Sequence, residues 1–309
     1  MFRLSSKTQD SLLVLTLRTI SCIVIVLLIM IIGSLVISAW PAIKTNGIDF
    51  LFSSQWNPVF GEYGGLSFIF GTVVTSLLAI LMAAPLSIFI ALFITEYLPK
   101  KAAKTLAILV EMIASIPSIV FGLWGIFYLA PFVKNSVTPF LKSTLGFLPF
   151  FQGPSFGIGI LSASIILAIM IVPTITSVCR SVFEVIPKHQ KETSYALGST
   201  KAEMIKLAII TPSLSGISSA IVLGLGRALG ETMAVTMLIG NSPEISASLF
   251  SPAATMASVI ANEYADANND LHVASLCYLA LLLFIVTFLS NLFAKVIIKR
   301  LSHRSGRRK

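Results

Sequence analysis

An all-α integral membrane protein with six transmembrane helices is the fold class that this chain of 309 residues predicts, and three observations predict it. First, charged residues make up 11% of it and hydrophobic ones 56%, with a mean hydropathy of +0.92. Soluble domains run near about 25% charged. Second, six apolar runs each reach the roughly 20 residues that a helix needs to cross a hydrocarbon core of about 30 Å. Third, the cations are sorted by loop. Eighteen of the 22 lysines and arginines lie before the first run, at 100–104, at 180–206 and from Lys295 onward, segments that six spans place on one side. The opposite loops hold only Lys44, Lys134 and Lys142. Cytoplasmic loops carry the Lys and Arg excess, so both termini are expected in the cytoplasm. The same sorting accounts for the net charge of +9 without a nucleic-acid partner.

Taken in order, residues 1–18 read as a cytoplasmic N-terminus and 19–39 as the first transmembrane helix. A signal peptide would have a shorter core and a small-residue cleavage site, whereas this run is followed by the bulky WPAIK. Residues 44–64 form a polar loop. The second span, 65–95, would be about 46 Å long as a helix, which requires tilt or an overhang. Pro85 is expected to kink it. Its Thr72, Thr75 and Ser76 are candidates for a polar face on a substrate path; the competing reading has these hydroxyls bonded to their own backbone. The third span is expected at 105–132, with Glu111 in a structural role, snorkelling or paired to a basic neighbour. A second outer loop follows at 133–155, and the fourth span at 156–179.

Residues 180–212 form the one long internal stretch that is not a span. Tyr195, Ala196, Met204 and Ile209 alternate there with Lys191, Glu192, Lys201 and Lys206, the pattern of an amphipathic helix. It suits an interfacial helix on lipid or a docking helix for a cytoplasmic partner. The fifth span is 216–240, the sixth 272–295, and the basic tail 296–309 is expected to meet anionic headgroups.

The fifth span carries Arg227 and Glu231 within GISSAIVLGLGRALGETMAVTMLIG. Charges near a bilayer centre cost about 2.5–3.5 kcal/mol each on insertion scales. Four-residue spacing puts both side chains on one helical face, within reach of each other, but Arg before Glu is the weaker order for such a pair. Two readings compete: an ion pair that locks the helix to a neighbour, or a transport path, and the second is favoured because intramembrane ionisable residues mark such paths.

Other chemistry is missing. There is no GxxxxGK[ST] phosphate cradle, no Ser/His/Asp set and no paired carboxylates, so neither catalytic residues nor a cofactor are expected. Cys22, Cys179 and Cys277 are scattered packing residues. The three histidines show no metal-ligand spacing, so no metal site is expected either. Energy for uphill transport must come from a partner or an ion gradient.

The stretch Glu192-Thr-Ser-Tyr-Ala-Leu-Gly198, with Pro212 beyond it, resembles the EAA loop of ABC importer permeases. Thr193-Ser194 stand where that family has two alanines, and IITP (209–212) ends the loop one residue later. GRALGETMAV (226–235) followed by IGN (239–241) is similar to the fifth-span signature of PstC-type permeases of the phosphate-specific transport (Pst) systems. GLSFIFGTVVTS (65–76), IPSIVFGLWGIF (116–127) and GPSFGIGILSASIILAIMIVP (153–173) match as well, and the likeness covers roughly 57–293. The resemblance implies a type I ABC importer permease (MetI-like) fold, with a core domain at 65–295 and an EAA-type coupling loop at 180–212. It also implies phosphate translocation across a prokaryotic inner membrane. Arg227 and Glu231 would lie on the substrate pathway, and Glu192, Ala196, Gly198 and Lys201 would couple to the ATPase. The implied partners are a homologous PstA-like permease, a PstB-like ATPase dimer, an extracytoplasmic PstS-like phosphate-binding protein and membrane lipid. A permease for phosphonate, sulfate or molybdate, and an ion-gradient secondary transporter, stand as alternatives.

Overall fold

The computed structural model describes residues 6–306, and side chains for 10 and 12–296. Among the described residues, six helices are long and apolar enough to cross a membrane. The basic side chains expected to meet headgroups at 297–309 lie outside the described residues.

Helix α1 (Ser6–Asn46) runs on through Trp40 and Pro41 rather than stopping there, so it extends beyond the expected 19–39. A two-stranded antiparallel hairpin, β1 (Trp56–Asn57) and β2 (Glu62–Tyr63), precedes α2 (Leu66–Glu96). The expected third span is cut in two. Pro117 is extended, at φ −58° and ψ 138°, so an amphipathic helix α3 (Lys100–Ala114) ends ahead of it and the spanning helix α4 (Ser118–Leu145) starts after it. The ring of a proline excludes the α conformation from the residue before it, which makes this a natural break. Glu111, on α3, pairs with Arg180 at 2.7 Å.

Helix α5 is Ile160–Glu184, followed by the short α6 (Lys188–Ala196) and then by α7 (Lys201–Gly230). Only 185–200 of the expected 180–212 loop therefore lies between the spanning helices. Pro212 does not end a loop: the backbone widens into a π turn at Ile205–Ile210 and continues. Wide turns also precede Pro131 and Pro139 in α4, at Gly125–Leu129 and Val133–Val137. A π turn relieves the clash between a proline ring and the carbonyl four residues back, so each helix survives its proline. The expected fifth span, 216–240, is interrupted. Helix α7 stops at Gly230, a short α8 (Met233–Ile239) follows, and residues 240–269 fold over the far end with α9 (Met256–Glu263) among them. Helix α10 (Asp270–Gly306) closes the chain.

The most extensive helix–helix contact is α2 on α5, and α1 packs mainly on α10. Ala79 and Ala83 of α2 meet Ile166, Met170, Ile171 and Ile175 of α5, all fully or nearly fully buried. Small residues on one helix let the backbones close up where water supplies no hydrophobic drive. Two polar ties cross the same seam beside Pro85 and Pro173. The Ser87 hydroxyl donates to the Val172 carbonyl at 3.2 Å, and the Thr176 hydroxyl donates to the Ser87 carbonyl at 3.4 Å.

At the end away from α6, the outer segments are clasped together. Trp56 Nε1 donates to the Glu263 carboxylate at 2.9 Å, and His272 Nε2 lies 3.0 Å from the same group. Tyr63 stacks on His272, and burial, with the Glu263 charge adding to it, pushes the Tyr63 phenol up. Gly71 fixes how closely α2 approaches this cover, because a Cβ there would run into the carbonyl oxygen of Ala254. Alanine gains roughly 1 kcal/mol over glycine in helix propensity, but overpacking costs about 1–3 kcal/mol and a backbone atom cannot swing aside. Gly71→Ala is therefore expected to lower the unfolding temperature of the solubilised protein. An unchanged or raised temperature in a thermal melt would show that the cover is free to shift.

Candidate functional site

The sequence of α7, TPSLSGISSAIVLGLGRALG, builds two different faces. Gly216 lies against Val182 and Gly224 against Ile175, where a Cβ would sit at 2.6 Å and 2.7 Å, so α7 packs tightly on α5. The other face shows Thr211, Ser215, Ser219, Leu223 and Arg227 at four-residue intervals, all exposed within this chain. This is a narrow stripe of small hydroxyl residues, interrupted by Leu223 one turn before the cation.

Arg227 stands in the last turn of α7, with Nη1 donating to the Thr174 hydroxyl of α5 at 3.1 Å. Both residues line a cavity of about 540 Å³ between α5, α7 and α10, which also has Leu223, Gly226, Asn291 and Lys295 in its wall. Thr174 is ten residues from Glu184 at the end of α5, or about 15 Å along the helix. The cation is thus set well along the length of the helices and away from their α6 end.

Glu231 is not where four-residue helical spacing would put it. It follows the end of α7 in extended backbone, at φ −70° and ψ 127°, and its carboxylate accepts the Ala234 N–H at 3.5 Å at the start of α8. No pair between Arg227 and Glu231 occurs among the ion pairs of the described residues. The break supplies a different reason for both charges: a cation is favoured at a helix C-terminus and an anion at an N-terminus. Each charge sits at the matching end of one of two abutting helices.

Thr72, Thr75 and Ser76 depart from the expected path. Each is 1% exposed. Thr72 donates to the Phe68 carbonyl at 2.7 Å and accepts the Met256 N–H at 2.9 Å; Thr75 donates to the Gly71 carbonyl at 2.7 Å. The Thr72 and Thr75 hydroxyls bond their own helix and the outer cover, the Ser76 hydroxyl is buried with no partner among the described residues, and none of the three lines the Arg227 cavity. Ser215, Ser219, Thr174, Asn291 and Lys295 are the polar groups that sequence reading missed. The four-residue spacing that puts Ser215 and Ser219 on the Arg227 face of the helix is legible for the first two; nothing local marks the others.

The second assembly is α6 and its flanks. Pro187 opens the helix and Gly198 closes it, with the Gly198 N–H on the Tyr195 carbonyl at 2.9 Å and the Ser199 N–H on the Ser194 carbonyl at 3.3 Å. That pair of bonds is a Schellman ending, which needs a left-handed residue, and Gly198 has φ +82°. Lys191 pairs with Glu96 of α2 at 2.6 Å, and the Lys201 ammonium lies 3.6 Å from the ring centroid of Tyr97. The first contact fastens α6 to the end of α2, and the second holds the start of α7 against Tyr97, the residue after that end. Glu192, Ala196 and Gly198 remain exposed beside Val185 and Leu197, apolar side chains that are 81% and 84% exposed. Such a face fits a protein partner.

Comparison with known proteins gives a consistent picture. The family described as "Binding-protein-dependent transport system inner membrane component" matches residues 83–305. The phosphate transport system permease protein PstC of Mesorhizobium japonicum is 44% identical, over 96% of this chain and 92% of that protein. PstC of Haemophilus influenzae is 41% identical over 96% of both chains, and a probable PstC of Methanocaldococcus jannaschii is 36% identical over 90% of both. Among solved structures, a bacterial ABC transporter involved in import of the acidic polysaccharide alginate aligns with a TM-score of 0.60 at 21% identity, over 95% of this chain and 96% of that one. The MetNI methionine ABC transporter aligns at 0.51 and 17%, over 74% and 90%. At those identities the likeness establishes the fold, which is that of type I ABC importer permeases.

Proposed function

We infer function from one premise: the chain belongs to the family of binding-protein-dependent transport system inner membrane components. It is a multi-pass membrane protein, the permease subunit of an ABC transporter that imports phosphate, and ATP hydrolysis belongs to a separate subunit. The observation that carries the site assignment is Arg227, a cation with no carboxylate partner among the described residues, open to a cavity between α5, α7 and α10.

Phosphate needs compensating charge in a low-dielectric path, and the guanidinium fork matches its oxygens. Release matters as much as capture, since a site that binds too tightly stops conduction. The Thr174 hydroxyl suits that need. It orients Arg227 through one hydrogen bond to an uncharged acceptor, a weaker competitor than a carboxylate would be. Glu231 then acts as a positioning residue that caps α8 and keeps the break open. Ser215 and Ser219 carry the polar stripe from Arg227 toward the α6 end.

The α6 end faces the cytoplasm of a prokaryotic inner membrane, and both termini lie on that side; the sorting of lysines and arginines supports this. Glu192, Ala196, Gly198 and Lys201 dock and couple a PstB-like ATPase dimer. A PstA-like second permease completes the path, a PstS-like phosphate-binding protein delivers from outside, and the basic tail meets lipid. Reconstituting all the subunits in liposomes and following labelled phosphate tests the reading. ATP-dependent uptake that excess sulfate, molybdate or methylphosphonate fails to suppress is expected. Preferential movement of one of those anions, or uptake by this chain with no ATPase present, would overturn it.

A further inference from the structure

The wall of the Arg227 cavity holds a second cation. Lys295 of α10 faces the same space as Arg227 of α7, and no acidic residue is among those that line it. Neither cation has a carboxylate partner among the described residues. Side chains on a helix lean toward its N-terminus, so Lys295 leans back along α10 toward Asn291, one turn away. The Oδ1 atom of Asn291 is buried and unbonded. The two ends of an amide are exchanged by a simple flip, so the buried atom can equally be the donor nitrogen. Gly226 leaves the room: a Cβ there would lie 3.6 Å from the Asn291 amide. An ammonium, a guanidinium, a hydroxyl and an amide therefore converge from three helices on a cavity of about 540 Å³. Two like charges that face one cavity repel each other, and an anion of charge near −2 between them removes that cost.

Building on the phosphate-permease reading above, we propose that Lys295 and Asn291 of the last helix join Arg227 and Thr174 in a two-cation clamp for a tetrahedral phosphoryl oxyanion. The clamp divides the work. Arg227 supplies a directional fork and Lys295 a mobile point charge that holds the second face of the anion and lets go readily. The same chemistry fits a free phosphate ion or the phosphodiester of an anionic lipid, which, unlike that of phosphatidylcholine, carries no cation of its own.

The test uses the complete transporter, with its ATPase, second permease and binding protein, in liposomes of phosphatidylcholine alone or of phosphatidylcholine with phosphatidylglycerol. Lys295→Gln is expected to slow ATP-driven uptake of labelled phosphate about tenfold, the loss of one charge-assisted contact. ATP hydrolysis stimulated by the binding protein should persist, and Lys295→Arg should restore most of the uptake. Equal slowing in both liposome types assigns the oxyanion to the transported ion. Slowing confined to liposomes with phosphatidylglycerol assigns it to a lipid headgroup. Unchanged uptake in both, or a loss that Lys295→Arg does not repair, overturns the clamp. Should Lys295→Gln fail to co-purify with its partners, Asn291→Asp is read instead; its carboxylate would compete for both cations, and unchanged uptake in that variant also overturns the clamp. Wild-type complexes that move no phosphate would refute the parent reading, which the variants alone cannot do.

Discussion

Arg227→Ala abolishes phosphate uptake, by at least about 100-fold, while the complex still assembles. The magnitude follows from what is lost. A charge-assisted hydrogen bond is worth about 1.5–3 kcal/mol, the guanidinium can offer two to one anion, and about 1.4 kcal/mol is a factor of ten. Assembly should survive because Arg227 makes one side-chain hydrogen bond among the described residues, to Thr174, and is otherwise exposed. Arg227→Lys separates charge from shape: it keeps the cation, loses the fork, and is expected to retain uptake lowered about tenfold. Uptake of labelled phosphate by cells that carry each variant as their sole copy, with co-purification of the ATPase as the control, measures all three results. Normal uptake in the alanine variant would remove Arg227 from the path and leave it as a tie to α5.

The second large effect is expected at Gly198, where Val should break the link between ATP hydrolysis and transport. The cause is conformational and not steric. A Cβ at Gly198 would meet nothing within 4 Å, but φ is +82°, a region that costs an L-residue roughly 1–2 kcal/mol and a β-branched one more. The helix α6 has only nine residues and an exposed face, so its ending yields before the rest of the bundle does. Unwinding the Schellman turn would move Leu197 and Glu192 off any partner seated there. Asparagine tolerates the left-handed region, so Gly198→Asn should behave nearly as the parent although it adds a larger polar group. ATP hydrolysis and phosphate uptake measured together in liposomes distinguish the causes. Equal damage from Val and Asn would mean that bulk at the interface matters and backbone strain does not; no damage from Val would take α6 out of coupling.

How far the sequence carries can be seen at particular residues. Run length, composition and the sorting of lysines specify six spans because a bilayer imposes a length that no tertiary contact can waive. Arg227 was legible for the same reason, since a charge in an apolar run demands an explanation. Its partner was not. Four-residue spacing predicts contact only inside an unbroken helix, and nothing in GRALGETMAV marks the exit from the helix after Gly230 except one glycine among several. Pro117 and Pro212 make the complementary lesson. Pro117 lies inside an apolar run and Pro212 just ahead of one, yet the first separates two helices and the second sits inside a thirty-residue one, because a wide turn absorbs its ring. Thr72 and Thr75 read as path residues only while the outer cover, distant in sequence, was unknown. Lys295 looked like part of a basic tail, and only the packing of α10 beside α7 gives it a different neighbourhood.

Helix α2 has a mechanical consequence. One extremity is riveted to α6 by the Lys191–Glu96 bond, and the other takes the backbone of Met256 through Thr72. Between them lies a strut about 46 Å long, braced sideways at Ser87 and weakened only at Pro85. A load applied to α6 therefore has a stiff route through the full thickness of the membrane. Axial travel at one rivet must reappear at Met256 or be spent in bending the strut at Pro85.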